Sequence, residues 1–215
     1  MAINMTPTLL LTSAGMQVQQ EIRKILPRTP GNIQIAHIIT ACNQLESAPW
    51  RDKDKQNMLD VGFQVTDVDI QGKNETHLRK ILKDSDVIYV QGGDPYLLLK
   101  HVKLSGFDKV VKEYLKQGKI YIGVSAGSYI ACPTMEMALW KKPKRSKHGL
   151  AGNETAMNLV PFLLSVHYEE KFRAMIQKGI SSTRYPVKIL TDDQAMLVKG
   201  NSYTLVGKGN EITLG

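Results

Sequence analysis

Short apolar runs alternate with stretches of helical periodicity along most of this chain, and that alternation restricts its fold more than any other feature. Leu9-Leu10-Leu11 reads as a first strand, and Val18 to Leu26 as a helix with apolar residues at 18, 22, 25 and 26. Ile33 to Ile39 is a second strand and Trp50 to Val61 a helix. Phe63 to Ile70 alternates like a strand, His77 to Leu82 is a short helix, and Val87 to Val90 is a buried strand ending at Gly92-Gly93. Asp94-Pro95 opens the next helix, because the carboxylate can cap free amides and proline suits the first helical position. Phe107, Val110, Val111, Tyr114 and Leu115 carry that helix on to Gly118, and Ile120 to Val124 forms the following strand. Strands joined through helices need crossover connections, which give a mostly parallel sheet covered on both faces. A helix at Glu169 to Lys178, a strand at Val187 to Leu190 and a hairpin complete the pattern. The hairpin pairs Ala195 to Val198 with Tyr203 to Val206 around Gly200-Asn201. The expectation is one α/β domain over residues 1–215.

Composition removes several function classes. Apolar residues make up 42% and charged residues 22%, which suits a globule with a real core and excludes disorder or coiled coil as an overall description. No stretch approaches the roughly 18 unbroken apolar residues of a membrane helix, so no membrane partner is expected. The N-terminus has no basic lead-in and reads poorly as a signal peptide. Cys42 and Cys132 lie far apart and in no C-x-x-C pattern, which excludes a disulfide framework and points to the cytoplasm. The 28 basic and 20 acidic residues leave a net charge of +8. Five of those positive charges fall in Lys141 to His148, read as an exposed loop. No aromatics interleave with that run, as a single-strand-binding surface would require, so no nucleic-acid partner is expected.

Chemistry concentrates at Gly123-Val124-Ser125-Ala126-Gly127, which comes straight off a buried strand. G-x-S-x-G at a strand-to-helix turn is a nucleophile elbow: the turn is too tight for flanking side chains, and the serine projects at the strand's carboxyl end. An acyl oxyanion would rest on the Ala126 N–H. A second donor is expected from Gln91-Gly92-Gly93-Asp94, which ends the preceding parallel strand at the same sheet edge.

A serine hydroxyl needs a base. His37 lies in an apolar strand, His77 and His101 are read on polar helix faces, and His148 belongs to the basic loop. His167 stands where an apolar segment, Pro161 to Val166, gives way to a helix, and it is the favoured base. The carboxylate that orients it is expected from Asp192 or Asp193, after the strand Val187 to Leu190. The resulting order, serine, histidine, aspartate, disfavours the α/β-hydrolases, which run serine, acid, histidine.

The segments VIYVQGGDPYLLLK, KIYIGVSAGSYIACPT, PFLLSVHYEEKFR and ILTDDQAMLV, in this order, resemble the dipeptidase E and cyanophycinase-like serine peptidases. The resemblance spans roughly Leu9 to Val206. It implies a flavodoxin-like three-layer α/β sandwich of the class I glutamine amidotransferase type. By that resemblance Ser125 is the nucleophile, His167 the base, and Gly93 and Ala126 the oxyanion amides. The family's acidic residue falls on Asp192, with Asp193 one step away. The implied activity is a serine-type peptidase acting on small peptides, with dipeptides carrying an N-terminal aspartate as the suggested substrates. No metal or cofactor is called for. Arg173, six residues after His167, is the candidate reader of a substrate carboxylate, the alternative being an exposed arginine on an amphipathic helix. Two other readings use the same residues: a binding module with an idle serine, and an esterase or acyl transferase. Nothing in the sequence speaks to oligomeric state.

Overall fold

The computed structural model of the chain describes residues 5–141 and 154–214. The parallel strands are β1 (Thr8–Thr12), β2 (Gln34–Ile38), β3 (Gln64–Val68), β4 (Val87–Val90) and β5 (Ile120–Val124). They form one sheet in the order β3-β2-β4-β5-β1. β1, β2, β4 and β5 are buried almost throughout because both faces are covered, whereas the edge strand β3 is largely exposed. Successive side chains leave a strand on opposite faces. Leu9 and Leu11 of β1 therefore join one core, while Leu10 joins the other. Likewise Ile88 and Val90 of β4 face one way, and Val87 and Tyr89 the other.

Helices α1 (Gln19–Ile25) and α2 (Pro49–Asp60) supply Ile22 and Met58 to the second core. Helices α3 (Glu75–Leu82), α4 (Pro95–Ser105), α5 (Phe107–Lys116) and α6 (Ala126–Tyr129) cover the opposite face. This is the expected three-layer α/β arrangement. The Asp94 carboxylate caps α4 by accepting from the N–H groups of Tyr96 and Leu97, at 2.9 and 3.1 Å. One expectation needs correction: the helix read from Asp94 to Gly118 is two helices. Gly106, at φ 71°, turns the chain between α4 and α5, and the apolar spacing resumes at Phe107 in a new frame. His101 also differs from its reading, since it is buried within α4.

After α6 the chain adds a second, two-stranded parallel sheet. It pairs β6 (Leu163–Ser165) with β7 (Val187–Ile189) across α7 (Arg173–Ser182). The strand expected at Val187 to Leu190 thus exists, but outside the main sheet. The C-terminal hairpin, β8 (Gln194–Lys199) and β9 (Ser202–Gly207), returns to the main sheet and pairs antiparallel with β1. Of the basic run 141–148, only Lys141 lies among the described residues.

Candidate active site

The carboxyl ends of β1, β4 and β5 meet at one sheet edge, and β5 lies between the other two. Ser125 leaves β5 there, with φ 48° and ψ −104°. A non-glycine residue held at positive φ stores strain, and such residues cluster at functional sites. The turn closes only because Gly127 lacks a side chain: a Cβ there would stand 2.1 Å from the Val90 carbonyl oxygen. Ala126 is the first residue of α6, so its N–H has no acceptor within the helix.

The second sheet brings the histidine to the serine. In β6–β7 pairing Ser165 stands opposite Ile189, and the Tyr168 N–H continues the ladder to the Leu190 carbonyl at 2.9 Å. His167 and Asp192 therefore leave the two paired strands side by side. His167 is also at positive φ, 53°. Its Nε2 lies 3.0 Å from Ser125 Oγ, and its Nδ1 lies 2.6 Å from Asp192 Oδ1. The carboxylate can only accept, so Nδ1 carries the proton and Nε2 is left to accept from the serine hydroxyl. The His167 contact and the Ser13 hydroxyl hold the Asp192 carboxyl below its ordinary range, against partial burial. His167 and Asp192 keep 44% and 49% of their side-chain exposure, so water and substrate can reach them.

Asp193 goes elsewhere. Its Oδ1 accepts from Gln17 Nε2 at 3.1 Å on the surface, and its carbonyl accepts from the Lys208 N–H. Sequence left Asp192 and Asp193 open as partners of His167; the geometry brings Asp192 alone to the ring.

The Gly92 carbonyl accepts from Cys42 Sγ at 3.1 Å and from Trp50 Nε1 at 3.4 Å. The intervening peptide bond is trans, which points the Gly93 N–H the opposite way from this carbonyl. Burial pushes the Cys42 thiol up to about 11, so it serves as a neutral donor. Among the described residues, no group of three or more histidine, cysteine, aspartate or glutamate side chains gathers as a metal site.

A cavity of about 1040 Å³ opens over Ser125, large enough for a small peptide. The segment after β1 lines one side of it, and Trp50, Lys53, Asp54 and Asn57 line another. Those four positions share one face of α2. Arg173 is not brought to this cavity. It is exposed and ion-paired with Glu170. Among the described residues, Lys53 is the lysine or arginine that lines the cavity.

Two site residues escaped the sequence reading. Ser13, fully buried, donates from Oγ to Asp192 Oδ1 at 2.6 Å and accepts the His167 N–H at 2.8 Å. The signal was present: Ser13-Ala14-Gly15 leaves β1 with the same tripeptide that leaves β5 at Ser125. Lys141, read as part of a solvated loop, directs its ammonium to the Val166 carbonyl and, at 3.4 Å, to the His167 carbonyl. It thereby fastens the backbone turn that carries the imidazole.

A serine, a histidine and an aspartate linked at the carboxyl edge of a parallel sheet form an arrangement that serine hydrolases use. The comparisons with known proteins place the chain within that class. The model of peptidase family S51 matches residues 9–206. An uncharacterised peptidase of Pasteurella multocida is 30% identical over 84% of this chain and 88% of its own length. An uncharacterised peptidase of Listeria innocua is 30% identical over 77% of this chain and 80% of its own. A crystal structure of a candidate peptidase E from Listeria monocytogenes superposes with a TM-score of 0.82 at 26% identity. It covers 95% of this chain and 100% of that one. The chain belongs to peptidase family S51, a family of peptidase E-like serine hydrolases.

Proposed function

We propose that this serine peptidase hydrolyses small peptides through an acyl-enzyme on Ser125. The observation that carries the reading is the continuous path from Asp192 to His167 at 2.6 Å and on to Ser125 at 3.0 Å. In the first step Ser125 Oγ bonds to the scissile carbonyl carbon while His167 Nε2 takes the hydroxyl proton. The carbonyl oxygen gains the charge and rests on the Gly93 and Ala126 amides. The carbon–nitrogen bond then breaks, and His167 returns its proton to the departing amine. Water, deprotonated by the same nitrogen, attacks the ester and frees Ser125. Asp192 holds the tautomer and balances the imidazolium charge throughout.

Substrates with an N-terminal aspartate remain the suggested preference. The reader of their side-chain carboxylate is Lys53 rather than Arg173, because Lys53 lines the cavity and Arg173 is engaged by Glu170. A fluorophosphonate probe tests the chemistry. Covalent labelling that maps to Ser125 and disappears in Ser125→Ala is the expected result. A folded parent that never labels would sink the proposal and favour a binding module with an idle serine.

A further inference from the structure

Asp54 is an unusual residue for the inward face of α2. It is 8% exposed, and a buried carboxylate is costly unless donors surround it. The other buried residue of α2, Met58 one turn on, belongs to the apolar core. The donors it does have come from two separate strand ends. Oδ1 accepts from the Met16 N–H at 3.2 Å, in the segment after β1 that also carries Ser13. Oδ2 accepts from the Tyr89 hydroxyl at 2.8 Å and from Gln91 Nε2 at 3.3 Å, at the end of β4 that leads into Gly92-Gly93. Ser125 sits between these two strand ends.

The contacts run on past Gln91 and return to α2. Gln91 Oε1 lies 2.9 Å from His37 Nε2, and His37 Nδ1 lies 2.9 Å from Asp67 Oδ1. Asp67 Oδ2 accepts from Lys55 Nζ at 2.6 Å, and Lys55 neighbours Asp54 on α2. The circuit thus joins α2, β4, β2 and β3, and it closes on itself. It also fixes which way the Gln91 amide faces, since the NH₂ must meet the Asp54 carboxylate.

We infer that Asp54 is a positioning residue: its carboxylate sets the distance between the Ser13–Met16 segment and the Gln91–Gly93 turn, and hence the place of the Gly93 amide relative to Ser125. This rests on the function proposed above, in which that amide stabilises the oxyanion. A residue that only fastens α2 to the sheet would lower stability when changed and leave turnover alone. A positioning residue lowers kcat in the fully folded protein as well, beyond the stability lost when the donors around Asp54 are left short of an acceptor.

The test uses the full chain with Asp54→Asn, Gln91→Met and the double variant. The measurements are kcat and KM for aspartyl-p-nitroanilide, fluorophosphonate labelling rate and Tm. Asp54→Asn is expected to lower kcat and labelling rate about tenfold to a hundredfold, toward the loss of an oxyanion donor, with KM within about threefold. Tm should fall by a few degrees, because the amide cannot accept from Met16, Tyr89 and Gln91 together, so kcat is read well below the variant's Tm. The double variant should lose no more than the worse single variant, because both break one link. Single variants that keep kcat within about twofold of the parent overturn the inference, as do losses that multiply in the double. If Asp54→Asn fails to fold, Gln91→Met decides: in protein held well below its Tm, a kcat and labelling rate lowered about tenfold with KM little changed support the inference, and an unchanged kcat overturns it. A parent that labels, beside variants that label at its rate, defeats this inference alone. A parent that never labels defeats the proposed function beneath it.

Discussion

At the scale of single residues, the site is a set of side chains whose protons have one permitted direction. Asp192 accepts from both His167 and Ser13, so its carboxylate must stay ionised for the imidazole to keep its tautomer. His167→Ala should lower turnover by several orders of magnitude with the fold intact, since His167 supplies the base and none of the core. Asp192→Asn should cost less than that, and Asp193→Asn close to nothing, because the Asp193 side chain accepts from Gln17 on the surface, away from His167. Steady-state kinetics of the three variants check the order. A worse defect in the Asp193 variant would reassign the acid. Ser13→Ala removes a buried donor to Asp192 and an acceptor for the His167 amide together. Its kcat should fall about tenfold, with Tm lowered by a few degrees. Stability carries the sign of the Asp192 shift. Its folded value is depressed, so the stabilisation is present above the ordinary carboxylate pKa of about 4 and is lost as pH falls through the lowered folded value. Comparing acid unfolding of the parent and Asp192→Asn should show that part missing from the variant.

At the scale of elements, the turn from β5 into α6 is the least forgiving part of the fold. Gly127→Ala would put a methyl group 2.1 Å from the Val90 carbonyl oxygen, a backbone atom that no side-chain rotation can move aside. Relief requires the turn to move, and with it Ser125. Overpacking of this kind costs about 1–3 kcal/mol, or several degrees in Tm for a chain of this size. Fluorophosphonate labelling should fall far more than the Tm shift accounts for; labelling at the parent's rate would mean that the turn absorbs the methyl without moving the serine. The parallel strands and this turn were legible in sequence because both depend on local pattern: apolar runs of strand length, and glycines spaced around a serine. What was not legible depends on pairing between distant segments. Ser13 meets Asp192 across 179 positions, and only the alignment of β8 beside β1 brings them together. The β6–β7 sheet escaped because β6 is three residues long and gives no periodicity to read. The break at Gly106 escaped because α5 starts directly after that one residue, with no polar linker to mark a new helix.

At the scale of the whole molecule, the question is how a chain with a net charge of +8 treats substrates of different charge. A positive field favours the approach of acidic peptides over any part of the surface, and salt screens it within about 10 Å at 0.1 M. Recognition inside the cavity is a different effect, because it needs one cation in one place. Lys53 is that cation in the proposed reading; on the same helix, Arg51 pairs with Asp52 and Lys55 with Asp67. Comparing kcat/KM for Asp-Leu and Asn-Leu isolates the carboxylate, since the two substrates differ little in shape. The parent should prefer Asp-Leu by about tenfold or more, the worth of one charged hydrogen bond. Lys53→Met should bring that ratio close to one, while Lys53→Arg should keep part of it. Arg173→Met should leave the ratio where it is, because the guanidinium is already taken by Glu170. Raising the salt concentration separates the two origins. A preference set by the overall field should fade in the parent and survive in weakened form in Lys53→Met. A preference set by Lys53 should persist in part at high salt and be missing from Lys53→Met at every concentration. An unchanged ratio in Lys53→Met would remove Lys53 as the reader and leave the serine chemistry standing.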